Sequence, residues 1–101
     1  MKKVLVVEDS NFFGMVIKNK IQTESNFYVT WAKNLSETVK ELNKANNNFF
    51  AAVLDFSLPD APQGEVIDKV ISKNIPSIVF TGNVSEEIRE FVWSKKVVDY
   101  I

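Results

Sequence analysis

The sequence contains no cysteine and no histidine. Without cysteine there is no disulfide framework and no thiolate chemistry. Without histidine, Ser-His-Asp and Cys-His catalysis, His-ligated zinc and a phosphohistidine carrier are all excluded within the chain. Glycine is scarce, 3 in 101 residues, against an average of about 7%, so each glycine marks a place worth locating. No sign of charge dominates: 12 Lys and Arg face 13 Asp and Glu, for a net charge of −1. That balance removes the electrostatic drive for gripping nucleic acid or anionic lipid. Long apolar runs are missing too. The longest, residues 49–54, falls far short of the ~20 residues a membrane span needs. The basic start Met1-Lys2-Lys3 leads into only four apolar residues before Glu8 and Asp9 interrupt them, whereas a secretion signal needs about 7–15. The expected location is cytoplasmic.

What is present reads as one globular domain. Hydrophobic residues make up 46% of the chain and charged residues 25%, ordinary values for a folded domain. A chain of this size buries roughly 60–70% of its unfolded surface and needs no staples. The periodicity alternates along the chain. Residues 4–7 form a β-branched run without polar alternation, as a strand covered on both faces requires. Ser10 is a candidate N-cap, and Phe13, Ile17 and Ile21 at four-residue spacing predict a helix over 11–23. Residues 27–31 read as a second strand. Asn34 with Glu37 three residues later resembles a capping pair, and Leu35, Val39 and Leu42 mark a second helical stripe. After the polar turn Asn46-Asn47-Asn48, residues 49–54 read as another doubly buried strand, ending at Asp55. Val66, Ile67, Val70 and Ile71 mark a third helix. Pro76 opens a strand over 77–80 that ends at Thr81-Gly82. Ser85 and Glu87 begin a fourth helix carrying Ile88, Phe91 and Val92, and residues 97–101 begin a fifth strand.

Strand–helix alternation of this kind predicts an α/β domain with a parallel sheet and helices on both faces. Ligands of such sheets bind beyond the carboxyl ends of the strands. Strand 1 ends in Glu8-Asp9 and strand 3 in Asp55. Acidic residues after a strand often only end it and cap the next helix. Here, if strands 1 and 3 are neighbours, three carboxylates meet at one edge and repel one another. A hard divalent cation resolves that repulsion, and Mg²⁺ takes oxygen ligands from one or two carboxylates together with phosphate. Such a site suits phosphoryl transfer, with an Asp carboxylate as nucleophile.

The segments Val4-Leu5-Val6-Val7-Glu8-Asp9-Ser10, Val53-Leu54-Asp55-Phe56-Ser57-Leu58-Pro59, Val79-Phe80-Thr81-Gly82 and Asp99-Tyr100 resemble, in order and approximate spacing, the receiver domains of two-component response regulators. The resemblance covers the whole chain, 1–101. It implies a flavodoxin-like parallel sheet of strand order 2-1-3-4-5 with helices on both faces. It implies that Asp55 accepts a phosphoryl group from the phosphohistidine of a sensor histidine kinase or a phosphotransfer protein. Asp9, Asp55 and the backbone carbonyl of Ser57 would ligate Mg²⁺, and Glu8 matches the other acidic position, which acts through metal-bound water. Thr81 would hydrogen-bond the phosphate and Tyr100 would be the aromatic switch. Such a domain is a phosphoacceptor and not itself an enzyme. It drives an attached output domain or a docked partner. The stretch SLPDAPQGEVID with VVDYI most resembles the first receiver of proteins with two receivers and a GGDEF diguanylate cyclase.

Three features depart from the family pattern. The Lys expected two residues beyond Tyr100-Ile101 and the fifth helix do not occur in this sequence, and Lys95 and Lys96 should sit at the other end of strand 5. The chain is therefore expected to be truncated, with part of the first helix uncovered and apolar surface exposed. The run from Pro59 to Gly64 is one residue longer than usual, making a bulkier loop of Asp60-Ala61-Pro62-Gln63. Gly82 follows Thr81 where many relatives carry alanine. The missing Lys and the loop leave open an alternative, a degenerate receiver acting as a phosphorylation-independent interaction or dimerisation module, and a homodimer is compatible with either. A phosphatase of the haloacid dehalogenase type would need Asp where Ser57 stands. A flavodoxin would need a phosphate-cradling loop where the acidic 8–12 segment lies.

Overall fold

A computed structural model describes residues 2–44 and 48–80 together with Glu87, Glu90, Lys95, Asp99 and Tyr100. The elements run β1 (Lys3–Val7), α1 (Asn11–Glu24), β2 (Tyr28–Ala32), α2 (Leu35–Leu42), β3 (Phe49–Asp55), α3 (Glu65–Ile71), β4 (Ser77–Phe80) and β5 (Asp99–Tyr100). All strand pairs are parallel, in the order β2-β1-β3-β4-β5. The chain therefore has the flavodoxin-like sheet that the resemblance implies. The expected fourth helix with Ile88, Phe91 and Val92, residues Asn46 and Asn47 of the polar turn, and Thr81-Gly82 lie outside the described residues. Among the described residues no helix is long and apolar enough to cross a membrane.

The reason for the sheet's centre is local. Val4, Leu5, Val6 and Val7 are all buried, and Leu5 and Val7 point to one apolar cluster while Val4 and Val6 point to another. Burying each such side chain stabilises the fold by about 1.5–3 kcal/mol. Both helices after β1 and β2 start at the residues that the sequence marks. Ser10 Oγ accepts from the N–H of Phe13 at 3.2 Å, and Asn34 Oδ1 accepts from the N–H of Glu37 at 2.8 Å. Each side chain satisfies one of the N–H groups a helix start leaves open. The α2 stripe includes Thr38, fully buried because its hydroxyl donates to the carbonyl of Asn34 at 2.8 Å, a bond that lets it pack as an apolar residue.

Two expectations need correction. Strand β3 is not buried on both faces throughout: Phe49, Ala52 and Leu54 are buried, but Phe50 is 47% exposed and Val53 only partly covered. Among the described residues, α1 is the one helix that packs on that face, against Val4, Val6 and Val29. Nor does Phe13 lead the buried face of α1. It is 58% exposed, its ring edge-on to Phe12 at 5.4 Å, and Gly14, Ile17 and Ile21 face the sheet instead. Phe12, Phe13, Met15 and Val16 are all exposed on α1.

The connection from β3 to α3 is shaped by Gly64. It holds φ +78°, and a Cβ there would lie 2.6 Å from Cε2 of the buried Phe56 ring. The left-handed backbone alone costs a non-glycine residue about 1–2 kcal/mol. Replacing Gly64 by alanine should lower the unfolding free energy by about 2 kcal/mol or more once overlap with Phe56 is added. Urea denaturation measures this, and a loss below about 1 kcal/mol would contradict the Phe56–Gly64 packing.

Candidate functional site

The parallel register brings the carboxyl ends of β1, β3 and β4 level. Val7 pairs with Leu54, and Asp55 with Phe80. One residue further on, the N–H of Glu8 donates to the carbonyl of Ala32 and that of Phe56 to the carbonyl of Phe80, both at 3.0 Å. Glu8 and Asp9 thus leave β1 beside Asp55 at the end of β3. Carboxylate oxygens of Glu8, Asp9 and Asp55 lie within 4.8 Å of one another. Glu8 is 4% exposed, Asp55 is half-buried and Asp9 is exposed.

Such crowding is electrostatically costly and the acids respond to it. Burial pushes the Glu8 carboxyl up to about 8, helped by its hydrogen bond with Asp55 and by the charges of Asp55 and Asp9. Burial also raises Asp55, opposed by hydrogen bonds from Glu8 and from the backbone of Ser57. Near neutral pH the Glu8–Asp55 pair therefore holds a proton, since two adjacent carboxylates resist ionising together. Glu8 Oε2 is buried without a hydrogen-bond partner among the described residues. A buried, unpartnered oxygen on a carboxylate crowded by two further acids fits a hard divalent cation such as Mg²⁺.

Ser57 is exposed just beyond the end of β3, and its N–H donates to Asp55 Oδ1 at 3.3 Å. The turn places the backbone of Ser57 beside the acid. Thr81 lies outside the described residues. Tyr100 is in β5, paired with Val79 of β4, while its side chain is outside the description. Lys95 is engaged elsewhere, its Nζ 3.1 Å from Asp68 on α3.

The loop after Pro59, expected to be bulky, is in addition tied to a helix. Leu58 and Ala61 exchange backbone hydrogen bonds at 3.2 and 3.1 Å, with Pro59 and Asp60 at the tip. Asp60 Oδ1 accepts from the N–H of Leu35 at 2.8 Å and Oδ2 from that of Ser36 at 3.0 Å. Those bonds hold the Asp60 carboxyl below its usual value. With Asn34 on the third N–H, the first turn of α2 is satisfied, and the segment carrying Ser57 is tied to a neighbouring helix. The only local signal was the short acidic side chain after proline, which does not name a helix 25 residues upstream.

No protein-family model and no curated protein matches the chain. Solved structures do. The non-phosphorylated HemR receiver domain from Leptospira biflexa is 25% identical, with a TM-score of 0.85 over all of this chain and 81% of that one. A putative two-component system response regulator/GGDEF domain protein is 26% identical, with a TM-score of 0.85, and this chain spans 40% of it. The receiver domain of the Francisella response regulator 1452 is 25% identical, with a TM-score of 0.84 over all of this chain and 83% of that one. The structural neighbours of the chain are response-regulator receiver domains, as the sequence motifs implied.

The proton on the acid pair gives stability a pH dependence of definite sign. Glu8 sits near 8 in the folded protein against 4.5 in an unperturbed chain. Its contribution is complete below the lower value and is lost as the pH rises through the upper one. In metal-free buffer, Glu8→Gln should be more stable than the parent at pH 8.5, by about 1–3 kcal/mol, the cost of a buried unpaired polar group. The difference should shrink toward pH 5. Denaturant midpoints of both proteins across this range, with EDTA present, provide the check; parallel curves would contradict the shift.

Proposed function

We propose that the chain, residues 1–101, is a receiver domain of a two-component response regulator that accepts a phosphoryl group on Asp55. The observation that carries this reading is the meeting of Glu8, Asp9 and Asp55 at the carboxyl edge of the sheet, with a buried carboxylate oxygen unpartnered. Likeness to receiver structures supports it. Glu8, Asp9, Asp55 and the backbone carbonyl of Ser57 are the groups that would hold Mg²⁺. When bound, the ion would neutralise the acids and the charge of the incoming phosphoryl group.

In this reading an Asp55 oxygen attacks phosphorus in line with the leaving group. The bond from phosphorus to the donor breaks and an acyl phosphate forms. With a phosphohistidine donor, the sensor kinase or phosphotransfer protein recovers its imidazole. Thr81 is proposed to donate its hydroxyl to a phosphate oxygen, and Tyr100 to change rotamer as the β4 end moves, since added negative charge recruits donors and shifts packing. The chain is on this account a phosphoacceptor that switches an output, in the cytoplasm, rather than an enzyme with a separate substrate. One structural neighbour is described as a GGDEF domain protein, which is in keeping with an attached output domain of that kind.

Incubation with acetyl phosphate and Mg²⁺ should add one phosphoryl group, read as a mass increase in intact-protein mass spectrometry. Asp55→Asn should lose it, and chelation by EDTA should suppress it at least tenfold. Equal labelling of parent and Asp55→Asn would overturn the assignment of Asp55. A folded parent that takes no label would favour the interaction-module alternative.

A further inference from the structure

We infer that Trp31 is a positioning residue for the acidic pocket: its indole fixes the Glu8–Asp9 peptide, and Gly14 is the space that indole occupies. The inference rests on the receiver reading only for the metal that the pocket would hold. The backbone ladder between β1 and β2 runs from Lys3 against Tyr28 to Val7 against Ala32. It ends with the Glu8 N–H on the Ala32 carbonyl. The next polar group along the chain is the Glu8 carbonyl, and it accepts from the indole Nε1–H of Trp31 at 2.9 Å. Trp31 thus adds one side-chain bond beyond the last backbone bond, where β1 would otherwise be free to fray.

The position of that bond gives it consequence. The Glu8 carbonyl belongs to the planar peptide that joins Glu8 to Asp9. Restraining that plane limits the directions in which two of the three crowded acids depart from the backbone. Metal ligands must be held to within a fraction of an ångström by groups behind them. No other side-chain donor to this carbonyl is present among the described residues.

Gly14 supports the same conclusion independently. It lies inside α1, where glycine is a poor helix former relative to alanine. A Cβ on Gly14 would stand 1.9 Å from Cζ2 and 2.2 Å from Cε2 of Trp31. The indole therefore lies directly on the helix backbone. Lys33 Nζ sits 5.1 Å from the centre of the Trp31 ring, within cation–π range, and the ring also packs on the cluster of Val4, Val6 and Val29. The indole is confined on several sides with its N–H aimed at one acceptor.

Two measurements test this. In metal-free protein, the Trp31 indole N–H resonance, identified by its disappearance in Trp31→Phe, should exchange with solvent at least tenfold more slowly than a free indole. Exchange at the free rate would overturn the tether whatever the metal does. In the second arm, Mg²⁺ is titrated into the parent, Trp31→Phe and Gly14→Ala, with folding checked by circular dichroism. Trp31→Phe keeps an aromatic ring in the apolar cluster and loses the donor together with the indole atoms over Gly14; Gly14→Ala expels the ring. Both should raise the Mg²⁺ Kd at least threefold, and Gly14→Ala should add nothing in a Trp31→Ala background, as expected for one coupled unit. A Kd in Trp31→Phe less than threefold above the parent would overturn the positioning role, because that change removes the N–H donor. A parent that takes no Mg²⁺ would instead defeat the proposed function, and the exchange rate would still decide whether the tether exists.

Discussion

Mutual repulsion among Glu8, Asp9 and Asp55 is the constraint around which the rest of the chain is arranged. Carboxylate oxygens held within 4.8 Å of one another cannot all stay charged without compensation. A proton shared by Glu8 and Asp55 is one form of compensation and a divalent cation is the other. The two are exclusive at full occupancy, because a metal-ligating carboxylate must be deprotonated. A proton and a divalent cation would therefore compete for the same carboxylates in the range where Glu8 titrates.

Holding three acids together requires a scaffold that does not relax away from them. The buried strands β1 and β3 supply the base, since Leu5, Val6, Val7 and Leu54 have no exposed surface. Beyond the strand ends, ties from other elements take over. Trp31 reaches the Glu8 carbonyl from β2. Phe56 packs on Gly64 at the start of α3. Asp60 binds the first turn of α2. Each tie joins a loop near the acids to an element whose own placement is set by the core. The site edge is thus stiff on the side of β1 and β3.

Much of this was readable in the linear sequence. The run of residues 4–7, the caps at Ser10 and Asn34 and the acids after two apolar runs are local signals, and local signals fix elements and their order. Strand order followed from the family resemblance and is observed in the sheet. The site's acids could be named because the carboxyl ends of parallel strands share one edge. Periodicity misplaced Phe13 because a four-residue spacing cannot say which of two adjacent residues faces inward; the close approach of Trp31 selects Gly14. Thr38 was passed over because its polarity is cancelled by a bond visible only in the helix. Asp60 and Trp31 act on partners 23–25 residues away, and no local pattern encodes such distances.

Manganese titration followed by amide NMR tests the central claim most directly, because Mn²⁺ is a hard, oxygen-seeking stand-in for Mg²⁺ and broadens only nearby signals. The account predicts selective loss of the Asp9, Ser10, Phe56 and Ser57 amide signals at substoichiometric Mn²⁺. Lys3 and Tyr28, at the opposite end of the sheet, should stay sharp, and excess Mg²⁺ should reverse the loss. Uniform broadening, or broadening centred on another acidic surface such as Glu41, would contradict a metal-binding pocket built from Glu8, Asp9 and Asp55.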